Sequence, residues 1–260
     1  MGVRPAALDG YPADPAELRA TVERALQTAS PHRTAYGAPK AIVAPHAGYA
    51  YSGPVAASAY ARVTPFRGLF EHVTILGPAH RWPVPAAAVS SATAFATPLG
   101  LVPLDQSYAD ILVADGVAVV DDQAHADEHS IEVQLPFVQV ALGDVVVLPI
   151  AVGNMPPDDV AALFHHVWAS DSLIVVSTDL SHYHDHATAQ ARDRLTAEAI
   201  VATDADAIGA EDACGAVALR GLLAAARADG VDVELLDLRT SADTAGDPSR
   251  VVGYGAFAVG

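Results

Sequence analysis

Ser172-Leu173-Ile174-Val175-Val176-Ser177-Thr178-Asp179-Leu180-Ser181-His182 sets an unbroken apolar run directly against a polar loop that ends in histidine. A short run rich in β-branched residues is the mark of a strand buried on both faces, as in a parallel sheet covered by helices. The arrangement occurs twice upstream. Ala41-Ile42-Val43-Ala44 runs into Pro45-His46, and Val73-Thr74-Ile75-Leu76 runs into Gly77-Pro78-Ala79-His80. Helical signals separate these runs. Asp14-Pro15-Ala16-Glu17 supplies an N-cap, a proline at the first helical position and a capping-box glutamate, so the first helix is predicted over 15–29. Further helices are predicted from Ser52-Gly53-Pro54 through Val63, from Asp105 to Gly116, from Ser130 with Pro136 near its start, over 158–169, near 187–202, and from Asp212 to Gly230. Apolar runs at 145–152, 233–238 and 251–259 complete the chain, the last two expected to pair antiparallel. Strands alternating with helices predict an α/β fold with a mostly parallel or mixed central sheet and helices on both faces. Without repeats or a linker, residues 1–260 are expected to form one domain.

Composition narrows the function. Hydrophobic residues make up 52% of the 260, enough for a large core without staples. Asp and Glu total 31 against 14 Lys and Arg, a formal net charge of −17 that repels phosphate backbones and anionic lipid, so neither nucleic acid nor membrane is an expected partner. Cys214 is the only cysteine, which excludes an internal disulfide and fits a reducing compartment; a cytoplasmic location is expected. Met1 to Gly10 contains no signal-like apolar stretch, and no apolar run nears the roughly 18 residues of a membrane span.

Ligands of open α/β sheets bind beyond the carboxyl ends of the strands. His46, His80 and His182 each follow a different strand there, and His129 in Asp127-Glu128-His129-Ser130 precedes a helix. Each taken singly also reads as a hydrogen-bonded loop residue; recurrence at three strand ends favours a shared pocket. The other histidines are less informative: His32 and His72 fall in loops, His125 near an acidic turn, His165 and His166 in a helix, and His184 and His186, close after His182, read as surface residues in preference to donors that support the site. Cys214, just inside a helix capped by Asp212, reads either as a thiolate favoured by the helix terminus or as a small core residue. Asp179 and Glu128 are expected to support the histidines. No phosphate loop, dinucleotide fingerprint, nucleophile elbow or paired-cysteine zinc motif is present.

Ala44-Pro45-His46-Ala47-Gly48-Tyr49, Leu76-Gly77-Pro78-Ala79-His80, Asp127-Glu128-His129-Ser130-Ile131-Glu132, the Ser177 to His182 segment and the closing Tyr254-Gly255-Ala256 together resemble the Memo family, whose prokaryotic members are called AmmeMemoRadiSam system protein B. The resemblance spans roughly residues 40 to 260. It implies a fold similar to class III extradiol dioxygenases, which hold a nonhaem iron at strand ends. It also implies His46, His80 and Cys214 as metal ligands and His182 as the acid/base histidine; His129 and Asp179, placed near it by the reading of the residues, complete the expected catalytic set. A thiolate would thus replace the dioxygenase carboxylate, so ring-cleaving activity does not follow from fold. The implied cofactor is Fe(II), with Cu or Zn as alternatives. Partnership with an AMMECR1-type protein and a radical SAM enzyme is implied by the family's name. Two functional classes follow: a mononuclear iron or copper oxidoreductase acting on a small molecule, or a regulatory protein that binds metal or peptide in the same pocket without turnover. Zinc hydrolysis is a third, weaker reading.

Overall fold

The computed structural model describes residues 2–6, 10–29, 37–169 and 171–260; His32 lies outside them. Strands, in chain order, are β1 (Val3–Arg4), β2 (Ala41–Ala44), β3 (His72–Pro78), β4 (Ala87–Val89), β5 (Ala94–Thr97), β6 (Gly100–Pro103), β7 (Val119–Val120), β8 (Val146–Val152), β9 (Leu173–Ser177), β10 (His182–His184), β11 (Val233–Thr240) and β12 (Val251–Val259). The helices are α1 (Pro15–Thr28), α2 (Gly53–Val63), α3 (Gln106–Ala114), α4 (Gln123–Ala126), α5 (His129–Glu132), α6 (Leu135–Ala141), α7 (Pro157–Ala169), α8 (His186–Val201) and α9 (Ala216–Asp229).

A nine-stranded mixed sheet organises them in the order β10-β12-β2-β9-β3-β8-β4-β7, with β11 paired to β12. Its centre, β2-β9-β3-β8, is parallel, and β12 and β4 join it antiparallel on either side. β11 and β12 pair antiparallel, as expected. Alternation along β2 shows why both faces needed cover: Ile42 and Ala44 enter the core under α1, α2 and α6, while Ala41 and Val43 enter the opposite core with α3, α7 and α9. Among the described residues, no helix is long and apolar enough to cross a membrane.

Several local expectations need correction. The helix expected from Ser130 is two short helices, α5 and α6, and it restarts at Leu135-Pro136, where proline suits a first turn. The last long helix begins at Ala216 with Gly215 as its N-cap; the Asp212 carboxylate accepts instead from the Gly209 N–H at 2.9 Å. His72 opens β3, and its Nδ1 lies 2.8 Å from Asp105. The short strands between 87 and 103 were unexpected, as was the small β1-β5-β6 sheet, which anchors the N-terminal segment.

The register decides the site. β2 and β3 flank β9, and Ala44 lies opposite Ser177, so His46 and His80 leave the sheet on either side of the Ser177 end of β9. Helix α5 then closes down on β3. A β-carbon at Gly77 would sit 2.5 Å from Ser130 Oγ and 3.1 Å from Ile131 Cγ1. Gly77→Ala should therefore push α5 away and cost about 1–3 kcal/mol in urea unfolding. Gly37→Ala, with nothing within 4 Å, should change stability by less than about 0.5 kcal/mol. Equal effects would contradict this packing.

Candidate metal centre

His46 is 2% exposed and is held at two points. Its backbone N–H donates to Asp179 Oδ1 at 2.8 Å, and its Nδ1 lies 3.0 Å from Ser177 Oγ. The Ser177 hydroxyl spends its single proton on the Ser130 carbonyl at 2.6 Å and accepts from Gln134 Nε2 at 2.9 Å. Ser177 can therefore only accept from His46. Nδ1 carries the imidazole proton, and Nε2 is left with its lone pair. Gln134 is locked in turn, because its Oε1 accepts from the Tyr60 hydroxyl at 3.0 Å and its Nε2 also donates to the Pro45 carbonyl at 3.0 Å. Burial, with the neighbouring histidines adding to it and Asp179 opposing, pushes the His46 imidazole down to about 4. It is neutral near pH 7, the form that binds a cation.

His80 follows the same logic with a carboxylate in place of serine. Glu128 Oε2 accepts its backbone N–H at 2.6 Å, and Oε1 lies 3.0 Å from its Nδ1. Burial alone would raise the Glu128 carboxyl, but hydrogen bonds from the His80 ring and the Ser130 and His80 backbone bring it down to about 2. The carboxylate is ionised and can only accept, so His80 also keeps its proton on Nδ1 and its lone pair on Nε2.

His129 is brought in by α5. Its ring stacks on His80 at 4.9 Å between centroids and meets His46 edge-on at 5.4 Å. Its Nδ1 is buried without a hydrogen bond, 3.4 Å from Glu128 Oε1. Burial, opposed by Glu128, lowers its affinity for a proton. On the next turn, the fully buried Glu132 accepts from Arg4 and from the Tyr11 hydroxyl, so the N-terminal segment clamps α5 from behind. One donor atom from each of His46, His80 and His129 lies within 4.8 Å of the other two.

Cys214 borders this group. Its Sγ is 3.4 Å from His46 Nε2 and accepts from the Asp179 N–H at 3.3 Å. Because Cys214 precedes α9, it does not sit within a helical first turn. Burial, with the Asp179 charge adding to it, pushes the thiol up to about 12, so the thiolate expected from a helix terminus is disfavoured by the fold alone. Asp179, 4% exposed, links His46 and Cys214 rather than pointing a free carboxylate outward. His182 lies in β10, opposite Val252 of β12, with its ring against Tyr183 at 5.6 Å. Among the described residues, the mutually close donor group contains neither His182 nor Cys214.

Two residues essential to this geometry were not singled out in the sequence. Ser177 looked like the end of a strand, and Gln134 like part of a helix. The available signal was a polar side chain at a position otherwise read as buried, since both are at most 1% exposed. Two histidines treated as minor also have clear structural places. His125 is buried with Nε2 2.9 Å from the Ala88 carbonyl, and His186 Nδ1 is 2.8 Å from Thr240 Oγ1.

A cleft of about 520 Å³ opens onto the centre and reaches His80 and Cys214 between the 83–85 loop and the start of α9. The model of a family described as Memo-like protein matches residues 4–258. A MEMO1 family protein of Methanopyrus kandleri is 39% identical over 95% of this chain and 94% of its own length. Proteins of the same description from Thermotoga neapolitana and Ignicoccus hospitalis are 36% and 35% identical, over 92% and 98% of this chain and 86% and 98% of their own lengths. Histidines gathered at neighbouring strand ends, on a chain matched nearly end to end, place this protein in the Memo family.

Proposed function

We propose that the chain is a mononuclear metal-dependent enzyme of oxidative type that acts on a small molecule entering through the cleft. The observation that carries this reading is the pair of fixed tautomers: His46 and His80 are each tied through Nδ1 to an oxygen acceptor that leaves Nε2 unprotonated. The donors suit a divalent cation. His46 and His80 would hold it, His129 would supply the third imidazole, and the Cys214 sulfur stands beside His46 as a soft donor whose proton a cation would displace. Fe(II) is the metal we propose, with Cu or Zn as the alternatives. Bound there, iron would supply electron-transfer chemistry that no side chain of this chain possesses.

The chain's own residues then do separate work. Asp179 orients His46 and Cys214 together, Glu128 orients His80, and Ser177 with Gln134 keeps the His46 ring in one tautomer. His182, which opens β10 just after the segment 179–181, is proposed as the proton carrier, since an imidazole can both accept and donate a proton. Partnership with an AMMECR1-type protein and a radical SAM enzyme remains a proposal based on family naming.

The test is anaerobic reconstitution with Fe(II), then admission of air with catechol while oxygen uptake is followed. His182→Ala should keep its metal and lose at least about a hundredfold in turnover. If it loses metal as fully as a His46 variant, His182 is a ligand. If the metal-loaded chain takes up no oxygen yet binds phosphopeptide tightly, the regulatory reading replaces the enzymatic one.

A further inference from the structure

The cleft that reaches the centre has an unusual chemical uniformity. Its walls are Pro83, Val84, Pro85, Val152, Val217 and Ala218, and among the described residues the one polar side chain on it apart from His80 and Cys214 is that of Asn154. Among the described residues, no Lys, Arg, Asp or Glu lines it. The walls are also preformed: the Gly153 N–H donates to the Ala86 carbonyl at 3.0 Å and the Asn154 N–H to the Val84 carbonyl at 3.2 Å, pinning the proline-rich loop to the end of β8. Proline's fixed φ removes most of the remaining freedom.

An anionic group on a ligand would lose its water against these walls and find no cation to replace it. It would also meet the field of a chain with net charge −17. An apolar body meets no such penalty, and a cleft of about 520 Å³ is large enough for two fused rings. Arg81 follows His80 in the chain but does not line the cleft.

We propose that this cleft selects a molecule with an apolar, uncharged body that presents its reactive polar atom to the histidine end. The orientation rests on the proposed function; the selection against anions rests on the walls alone. Two probes of one shape separate these, 2-naphthol and 6-hydroxy-2-naphthoate, titrated into the metal-free chain so that no bound cation attracts the carboxylate. Methyl NMR signals of Val84, Val217 and Ala218 should shift with 2-naphthol, and it should bind at least about tenfold tighter than the naphthoate. Asn154→Lys places a cation at the exposed rim without touching the histidines, and it should tighten naphthoate binding about tenfold or more while leaving 2-naphthol little changed. Equal or tighter binding of the naphthoate to the unmodified chain would overturn the proposal. So would saturation that shifts none of these methyls, or failure of 2-naphthol to bind at all. Metal uptake measured on the same preparation reports on the metal centre independently, so the two readings can fail separately.

Discussion

His46→Ala, purified and reconstituted alongside the unmodified chain, will lose metal affinity on the order of a hundredfold or more. The expectation follows from position. Its Nε2 has a fixed lone pair, is fully enclosed, and faces both of the other imidazoles and the Cys214 sulfur. Structural metal sites of four ligands contribute about 10–16 kcal/mol, so one lost ligand removes roughly 2.5–4 kcal/mol. His80→Ala should lose a comparable amount, because the Glu128 carboxylate would then face no imidazole on that side. Cys214→Ser should lose less, and its effect should be seen chiefly in the absorption of the copper or cobalt form, since sulfur contributes a charge-transfer band that oxygen does not. Affinity unchanged in His46→Ala, by competition with a chromogenic chelator, would place the metal elsewhere.

Acid should destabilise the metal-free chain well before its carboxylates titrate. Burial pushes both His46 and His125 down to about 4, whereas an unfolded imidazole titrates near 6.5. Between those values the unfolded chain binds protons that the folded chain refuses, so stability is complete above about 6.5 and falls as pH drops toward 4. Each imidazole costs about 2 kcal/mol by pH 5 and about 3 kcal/mol by pH 4. Urea unfolding at pH 7.5 and pH 5 should show the loss, and His125→Gln, which keeps a donor for the Ala88 carbonyl, should remove about half of it. An identical pH dependence in that variant would show that His125 is not buried neutral.

Much of the architecture could be read from local pattern because the physics there is local. Apolar runs such as Leu173–Ser177 are buried on both faces wherever they pair, and the histidines after β2 and β3 had to emerge at one sheet edge. The small strands between 87 and 103 escaped notice because each is only three or four residues long, too short for an alternation to declare itself. The start of α9 was misplaced because Asp212 has the chemistry of a cap, yet its carboxylate closes a local turn onto Gly209. Within the site, His46 and His80 were legible by their place after strands. His129 was legible as a fourth candidate ahead of a helix, but not as a donor within ligand distance of the other two, because that depends on how closely α5 approaches Gly77, a tertiary distance with no sequence period. Ser177 and Gln134 gain their meaning only from each other.

Whether His46, His80 and His129 hold one metal ion is read directly by metal analysis of the chain. Purified without chelators or a polyhistidine tag, then incubated with Fe(II), Cu or Zn and desalted, the chain should retain about one equivalent of one of them, and His46→Ala much less. No metal retained from any of the three, or equal retention by the variant, would contradict the account.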